Sequence, residues 1–219
     1  MTQVTEIPSY KENLQELIGK LGNMLPQEKF AVFNKDAAQL ANTYPSPLGL
    51  KSGDKAPLFS LPNATGKIIS IESLLKHGPV VLTFYRGVWC PYCNLYLKIF
   101  QQILPQILEA GANLVAISPM TPDHSLGMKE TNALQYEVLS DAGNKVARQF
   151  TTVFKNSGAS VQAMKDLGYD FFSYYADDSA ELPVPATFVI AQDNTILFAG
   201  SGGGDYRKRI EPKEIVDAL

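Results

Sequence analysis

Apolar positions along this chain change their spacing several times, and each change marks an element. Near the start, Leu14, Leu17, Ile18, Leu21 and Leu25 recur at three- and four-residue steps, which is one face of a helix, and Ser9 with Glu12 forms a capping box ahead of them. Phe30, Phe33, Ala37, Leu40 and Ala41 predict a second, shorter helix. The segment YPSPLGLKSGDKAP then breaks the pattern with proline, glycine and serine and reads as a linker. Residues 1–51 are therefore expected to form an N-terminal helical extension and linker, and residues 52–219 the main domain. The extension is expected to pack on that domain or on a second copy of it.

From there short apolar runs alternate with helical periods. PVVLTFY (79–85) reads as a buried strand, and Pro91 to about Ala110 as a long helix with proline in its first turn and Pro105 kinking or interrupting it near the end. A strand follows at 113–118, a helix around 123–133, a short strand at 136–141 and a helix through Val146 and Phe150. Another helix near 160–168 leads into an irregular aromatic stretch, DFFSYYADD. ATFVIA (186–191) and TILFAG (195–200) flank Gln192-Asp193-Asn194 as a hairpin, and EPKEIVDAL closes as a helix. Parallel strands need crossover helices and the hairpin supplies antiparallel pairing, so the class is α/β, a central mixed sheet flanked by helices.

Composition narrows the function. With 45% hydrophobic and 19% charged residues, the chain of 219 residues has the make-up of a globular, water-soluble protein. Its 22 acidic residues against 19 basic ones leave a net charge of −3 and no basic face for nucleic acid or an anionic membrane. No apolar stretch is long enough to span a bilayer, and the first residues lack the basic flank and apolar core of a secretion signal, so a cytoplasmic location is expected. In a reducing compartment, two cysteines three positions apart point to redox chemistry or metal binding rather than to a structural staple.

Those cysteines are Cys90 and Cys93, in Cys90-Pro91-Tyr92-Cys93, placed where a buried strand passes into a helix. Unpaired backbone N–H groups and the positive end of the helix dipole stabilise an anion there, so a thiol ionises more easily and becomes a nucleophile. The spacing puts both sulfurs on one helical face, where one can attack and the other resolve the product as a disulfide. A zinc site would need two further ligands, and the only histidines, His77 and His124, lie 47 residues apart without the required spacing, so no metal is expected. Arg86, four positions before Cys90 and seven before Cys93, is a candidate to lower a thiol pKa and hold a peroxide oxygen or a carboxylate, or is simply a charge at a strand end. Trp89 and Tyr92 flank the thiols as a lip over a substrate pocket or as ordinary packing.

At these residues the chain resembles the peroxiredoxin-like members of the AhpC/TSA family (alkyl hydroperoxide reductase/thiol-specific antioxidant), in the thioredoxin-fold superfamily. The resemblance rests on VVLTFYRGVWCPYC, on the opening GDKAPLFSLPNATGKIISIESLL, which is similar to that family's first hairpin, and on VPATFVIAQDNTILFAG. It covers roughly residues 52–219 and implies a thioredoxin-like fold. It also implies a cis-proline beside the active cysteine at Pro185, preceded by Val184, both as pocket residues. Laid on the family's Pro-x-x-x-Thr/Ser-x-x-Cys pattern, Cys93 takes the peroxidatic position, Cys90 the Thr/Ser position and Arg86 the proline position. In thioredoxin-type chemistry the first cysteine, Cys90, is instead the nucleophile, and both orders remain open. With no third cysteine, Cys90 and Cys93 close a local disulfide or an external thiol completes the cycle.

The resemblance implies a thiol-dependent peroxidase that reduces hydrogen peroxide or alkyl hydroperoxides, needs no cofactor and is recycled by a thioredoxin-like reductant. The alternatives are a thiol–disulfide oxidoreductase acting on protein disulfides, and a redox-sensing protein whose N-terminal helices bind a partner according to the state of the pair. Phe171, Phe172, Tyr174 and Tyr175 read as core, with a pocket or homodimer contact as the alternatives. Arg148 reads as solvated, and the glycines from Gly200 to Gly204 as a flexible loop. Tyr206 and Arg209 in the closing DYRKRIEP carry no role that sequence assigns.

Overall fold

The computed structural model describes residues 6–219; the first five residues of the expected extension lie outside that range. Five strands form the central sheet: β3 (Val80–Phe84), β4 (Asn113–Ser118), β5 (Glu137–Ser140), β8 (Ala186–Ile190) and β9 (Ile196–Ser201). Their order is β5-β4-β3-β8-β9, with β3 parallel to β4 and β4 to β5, while β8 runs antiparallel to both β3 and β9. The arrangement follows from the connections, since β3 and β4 are joined through a helix whereas β8 and β9 are joined by a tight turn. β3, β8 and nearly all of β4 are buried, so they read as continuous apolar runs rather than alternating ones.

Two small antiparallel pairs flank this sheet. β1 (Ser60–Pro62) and β2 (Ile68–Ser70) make the hairpin anticipated from the resemblance, followed by α3 (Ile71–Leu75). β6 (Val153–Lys155) and β7 (Glu181–Pro183) pair across a long excursion that holds α7 (Gly158–Asp166) and a 3₁₀ turn at Phe171–Tyr174. Apolar periodicity did not announce either member of this second pair. The remaining helices are α1 (Tyr10–Met24), α2 (Gln27–Thr43), α4 (Pro91–Glu109), α5 (Pro122–Thr131), α6 (Ala147–Phe150) and α8 (Pro212–Val216).

α4 runs unbroken through Pro105, against the expected interruption. Pro105 lies on the exposed side, where losing one helical hydrogen bond is least costly. The helix is apolar over most of its circumference because it is covered twice: Leu97, Phe100 and Ile107 share a core with Val81, Tyr85 and Leu114 of the sheet, and Leu14 and Tyr10 close the other side. Tyr10 meets Tyr96 edge-on at 5.2 Å between ring centres. At the end of β3, Phe84 faces one core with Phe150 and Phe188, and Tyr85, the next residue, faces the opposite core with α4.

The N-terminal helices pack on the rest of the same chain. Ser9 Oγ accepts the Glu12 N–H at 3.3 Å, so the expected capping box is half formed. A carboxylate from far along the chain supplements it, as Glu211 accepts the N–H groups of Tyr10 and Lys11, each at 2.9 Å. The same side chain belongs to a complete capping box with Glu214 at the start of α8. α2 is held by the segment before α8: Tyr206 Oη donates to the Phe33 carbonyl at 2.7 Å, Arg207 donates to Asn34 at 2.7 Å, and Gly204 N–H reaches the Tyr44 carbonyl at 2.8 Å. Gly204 permits this approach because a Cβ there would lie 2.0 Å from the Leu40 carbonyl oxygen.

Candidate active site

The loop from Arg86 to Trp89 turns the chain out of β3 and into α4. Cys90 is the N-cap in extended conformation, and Pro91, which has no N–H to lose, opens the first turn. Asn94 fixes the loop by donating to the carbonyls of Val88 at 2.6 Å and Cys90 at 2.9 Å, and Asn132 donates to Asn94 Oδ1 at 2.7 Å. Trp89 Nε1 donates to Tyr175 Oη at 2.8 Å, and that hydroxyl donates to the Arg86 carbonyl at 3.0 Å. Phe171 packs against Trp89 at 5.5 Å between ring centres, so these two aromatics of the 170–178 stretch brace the loop from behind.

Both cysteines are reduced, each is 1% exposed, and their sulfurs lie 2.8 Å apart. Arg209 Nη2 donates to Cys93 Sγ at 3.3 Å. Burial by itself would push the Cys93 thiol up, but the hydrogen bond from Cys90 and the positive charges of Arg209 and Arg86 outweigh it and bring Cys93 down to about 6. Cys90 goes the other way: burial, its bond to Cys93 and the Cys93 charge raise it well above the ordinary thiol value. The pair thus divides into a thiolate at Cys93 and a proton-bearing thiol at Cys90 that hydrogen-bonds to it.

Arg86 is 3% exposed, so the strand-end surface charge gives way to a buried cation. Its guanidinium sits over the rings of Tyr206 at 3.8 Å and Trp89 at 4.7 Å, and its Nε has no partner. Arg86, Trp89, Cys90 and Tyr92 line one cavity of about 220 Å³; Cys93 lies behind Cys90 and does not reach it.

Val184 and Pro185 are buried beside β8 and are not among the residues lining this cavity. The expected cis bond is corrected: no peptide bond in the described residues is cis, that between Val184 and Pro185 included. The Val184 N–H donates to the Thr152 carbonyl at 2.8 Å, Thr151 Oγ1 donates to the Val184 carbonyl at 3.1 Å, and Ser201 Oγ donates to the Pro185 carbonyl at 2.9 Å. These bonds hold the link from β7 to β8 in an extended, trans course.

Arg148 pairs with Glu181 on β7, His124 Nε2 lies 2.9 Å from the Ser173 carbonyl, and His77 is exposed; none of them joins the thiols. Among the described residues no group of three or more His, Cys, Asp or Glu side chains could hold a metal, and no helix is long and apolar enough to cross a membrane. The residue that sequence reasoning missed is Arg209. It belongs to the short basic run Arg207-Lys208-Arg209 and stands 116 positions from Cys93, so no local pattern ties the two.

A five-stranded mixed sheet with a buried thiol pair at the head of the helix after β3 defines a thioredoxin-like fold. The sequence model of the AhpC/TSA family matches residues 52–199, and the chain belongs to that family. A Mycobacterium tuberculosis relative bearing the provisional name peroxiredoxin is 35% identical over 101 residues, which is 46% of this chain and 66% of that protein's length. Chloroplastic peroxiredoxin Q of Gentiana triflora is 25% identical over 150 residues, 67% of this chain and 69% of its own. Among solved structures, peroxidoxin BcpB from Mycobacterium tuberculosis superposes with a TM-score of 0.60 at 26% identity, covering 77% of this chain and 96% of that one. A mutant PrxQ of Xylella fastidiosa shares the fold, with a TM-score of 0.58 at 15% identity over 77% of this chain and 94% of its own.

Proposed function

We propose that this protein is a thiol-dependent peroxidase that reduces hydroperoxides through Cys93 and resolves them through Cys90. The observation that carries the reading is the Cys93 sulfur, depressed to about 6, with Arg209 at 3.3 Å and the Cys90 thiol at 2.8 Å. The Cys93 thiolate attacks the outer oxygen of the O–O bond. That bond breaks, the oxygen stays on sulfur as a sulfenic acid, and the departing alkoxide or hydroxide takes a proton and leaves as alcohol or water. The Cys90 thiol then displaces hydroxide from the sulfenic sulfur, forming the Cys90–Cys93 disulfide and releasing water. Two thiols of a thioredoxin-like reductant restore the pair and are themselves oxidised to a disulfide.

Reduction is directed by the asymmetry of the pair. Of the two cysteines only Cys90 is among the residues lining the cavity, so an incoming thiolate reaches Cys90 first, and Cys93, the thiol of lower pKa, is the better leaving group. The names of the relatives, peroxiredoxin and peroxidoxin, support the same activity. Residues 1–51 are, on this reading, an addition to the catalytic unit that begins at 52.

The place of Cys90, and not Cys93, among the residues lining the cavity favours a second reading, a disulfide oxidoreductase in which Cys90 attacks first. One experiment separates them. Fully reduced protein is mixed with one equivalent of hydrogen peroxide in a stopped-flow instrument, Trp89 fluorescence is followed, and free thiols are counted. A fast change with loss of both thiols is expected. Oxidation no faster than that of an ordinary free thiol, together with rapid reduction of insulin disulfides, would favour the second reading.

A further inference from the structure

Leu21 and Phe33 bring the N-terminal hairpin to the cavity, but the contact that bears on the Cys93 sulfur lies at the first residue of α1. Tyr10 is 1% exposed and meets the segment before α8 twice. Its Oη donates to the Arg207 carbonyl, and its N–H donates to the Glu211 carboxylate at 2.9 Å. These partners stand two positions before and two positions after Arg209. One residue of α1 thus pins both ends of a short arch, 207–211, with Arg209 at its crown. Neither Tyr10 nor the arch belongs to residues 52–199, the part that matches the family.

Of the three basic residues in the arch, Arg207 is paired with Asp205 and Asn34, Lys208 is exposed, and Arg209 turns toward the thiols. Arg209 Nη1 donates to the carbonyls of Tyr206 at 2.7 Å and Lys208 at 2.6 Å, which folds the side chain back against its own backbone and leaves Nη2 for Cys93. A guanidinium tied in this way to the arch's carbonyls moves with the arch. It lies 5.7 Å from the centre of the Tyr96 ring, and Tyr10 packs edge-on against that same ring. Cys93 is faced by Cys90, by the cations Arg86 and Arg209, and by the phenols of Tyr10, Tyr85 and Tyr175. Burial pushes all three phenols up, so they carry no charge below about pH 9.

We infer that Tyr10 is a positioning residue for the reactive thiolate: through its two bonds to the arch it holds Arg209 on Cys93, so that the N-terminal helix completes a site otherwise built by the family unit. The inference rests on the reading of Cys93 as the attacking sulfur and adds a residue that acts through Arg209. One of the two bonds uses the Tyr10 side chain and the other its main chain. The first can therefore be cut by substitution while the ring and the second bond stay.

Tyr10→Phe in the full chain removes the hydroxyl and takes one tie from the arch. A nearby opposite charge lowers an acidic group by about 1–3 pH units, so loosening Arg209 should return about one of them and raise the thiolate midpoint from about 6 to about 7, followed by absorbance with no peroxide present. The hydrogen peroxide rate should fall about fivefold at pH 6 and recover above about pH 8, as for a thiolate that is harder to form in a site that is otherwise sound. In an Arg209→Met background the same hydroxyl removal should leave the midpoint where it is, because the group it positions is gone. Glu211→Ala cuts the other tie, should Tyr10→Phe fail to fold. Losing a carboxylate can only favour a nearby thiolate, so a raised midpoint in that variant reports displacement of Arg209. An unchanged midpoint in the folded variant, or an equal rise with and without Arg209, would overturn the inference. Failure of every peroxide to oxidise either thiol would remove the peroxidase reading, while the midpoints would still decide what holds Arg209 on Cys93.

Discussion

Replacing Arg209 by methionine tests what holds the Cys93 thiolate. The substitution keeps most of the length and apolar stem of the side chain and removes one positive charge at 3.3 Å from the sulfur. Cys93 stands at about 6 against the lifting effect of its burial, with the Cys90 hydrogen bond, Arg209 and Arg86 pulling it down. An opposite charge this close lowers an acidic group by about 1–3 pH units, so its loss should carry Cys93 from about 6 to about 8. At pH 7 the ionised fraction would then fall from about nine-tenths to about one-tenth, and the peroxide rate by roughly tenfold, because the thiolate is the nucleophile. The sign is fixed: in the unaltered protein the rate is full above the Cys93 value and is lost as pH falls through about 6, and in the variant the same loss begins at higher pH. Thiolate absorbance at about 240 nm, titrated between roughly pH 4 and 9, reads the midpoint directly, and Cys90, pushed far up, is silent across most of that range. A midpoint that stays near 6 in a folded Arg209→Met protein would refute the reasoning.

Three further outcomes are expected. With peroxide, Cys90→Ser should accumulate a sulfenic acid that a dimedone-type reagent captures, while Cys93→Ser should give none, and the reverse pattern would assign attack to Cys90. Glu211→Ala removes the acceptor of two N–H groups at the start of α1 and should destabilise the fold by about 1–2 kcal/mol, read from urea unfolding. Gly204→Ala forces a Cβ against the Leu40 carbonyl and should cost about 1–3 kcal/mol of stability, measured in the same way.

The legible parts of this molecule are those whose cause is local. Val80–Phe84 and Asn113–Ser118 are apolar because both faces of the sheet are covered, and a run of such residues announces that without reference to any partner. Pro91 after Cys90 likewise announces a helix start. The pair β6 and β7 is different, since each strand has three residues and its reason for being extended is the other strand, 28 positions away at the central pair Phe154 and Leu182. Arg209 shows the same limit at the site. Within Arg207-Lys208-Arg209 nothing distinguishes the side chain that meets Cys93 from Lys208, which is exposed. The cavity was illegible for a third reason: Leu21 and Phe33 have the periodicity of core residues, and a residue lining a void against its neighbours carries the same pattern as one that is packed.

Glu211 has a consequence for how the protein is made. The N–H group of Tyr10 receives its acceptor from a residue 201 positions later, which at ribosomal speeds of about 5–20 residues per second is a wait of about 10–40 s. During that interval α1 and α2 have emerged with their apolar sides intended for α4, α7 and the cavity, while the strap from Gly204 to Glu211 that fastens them does not yet exist. The hairpin therefore gains its apolar cover, α4 and α7, well before it gains the polar bonds that fasten it, and it is held by packing alone until the last residues are made.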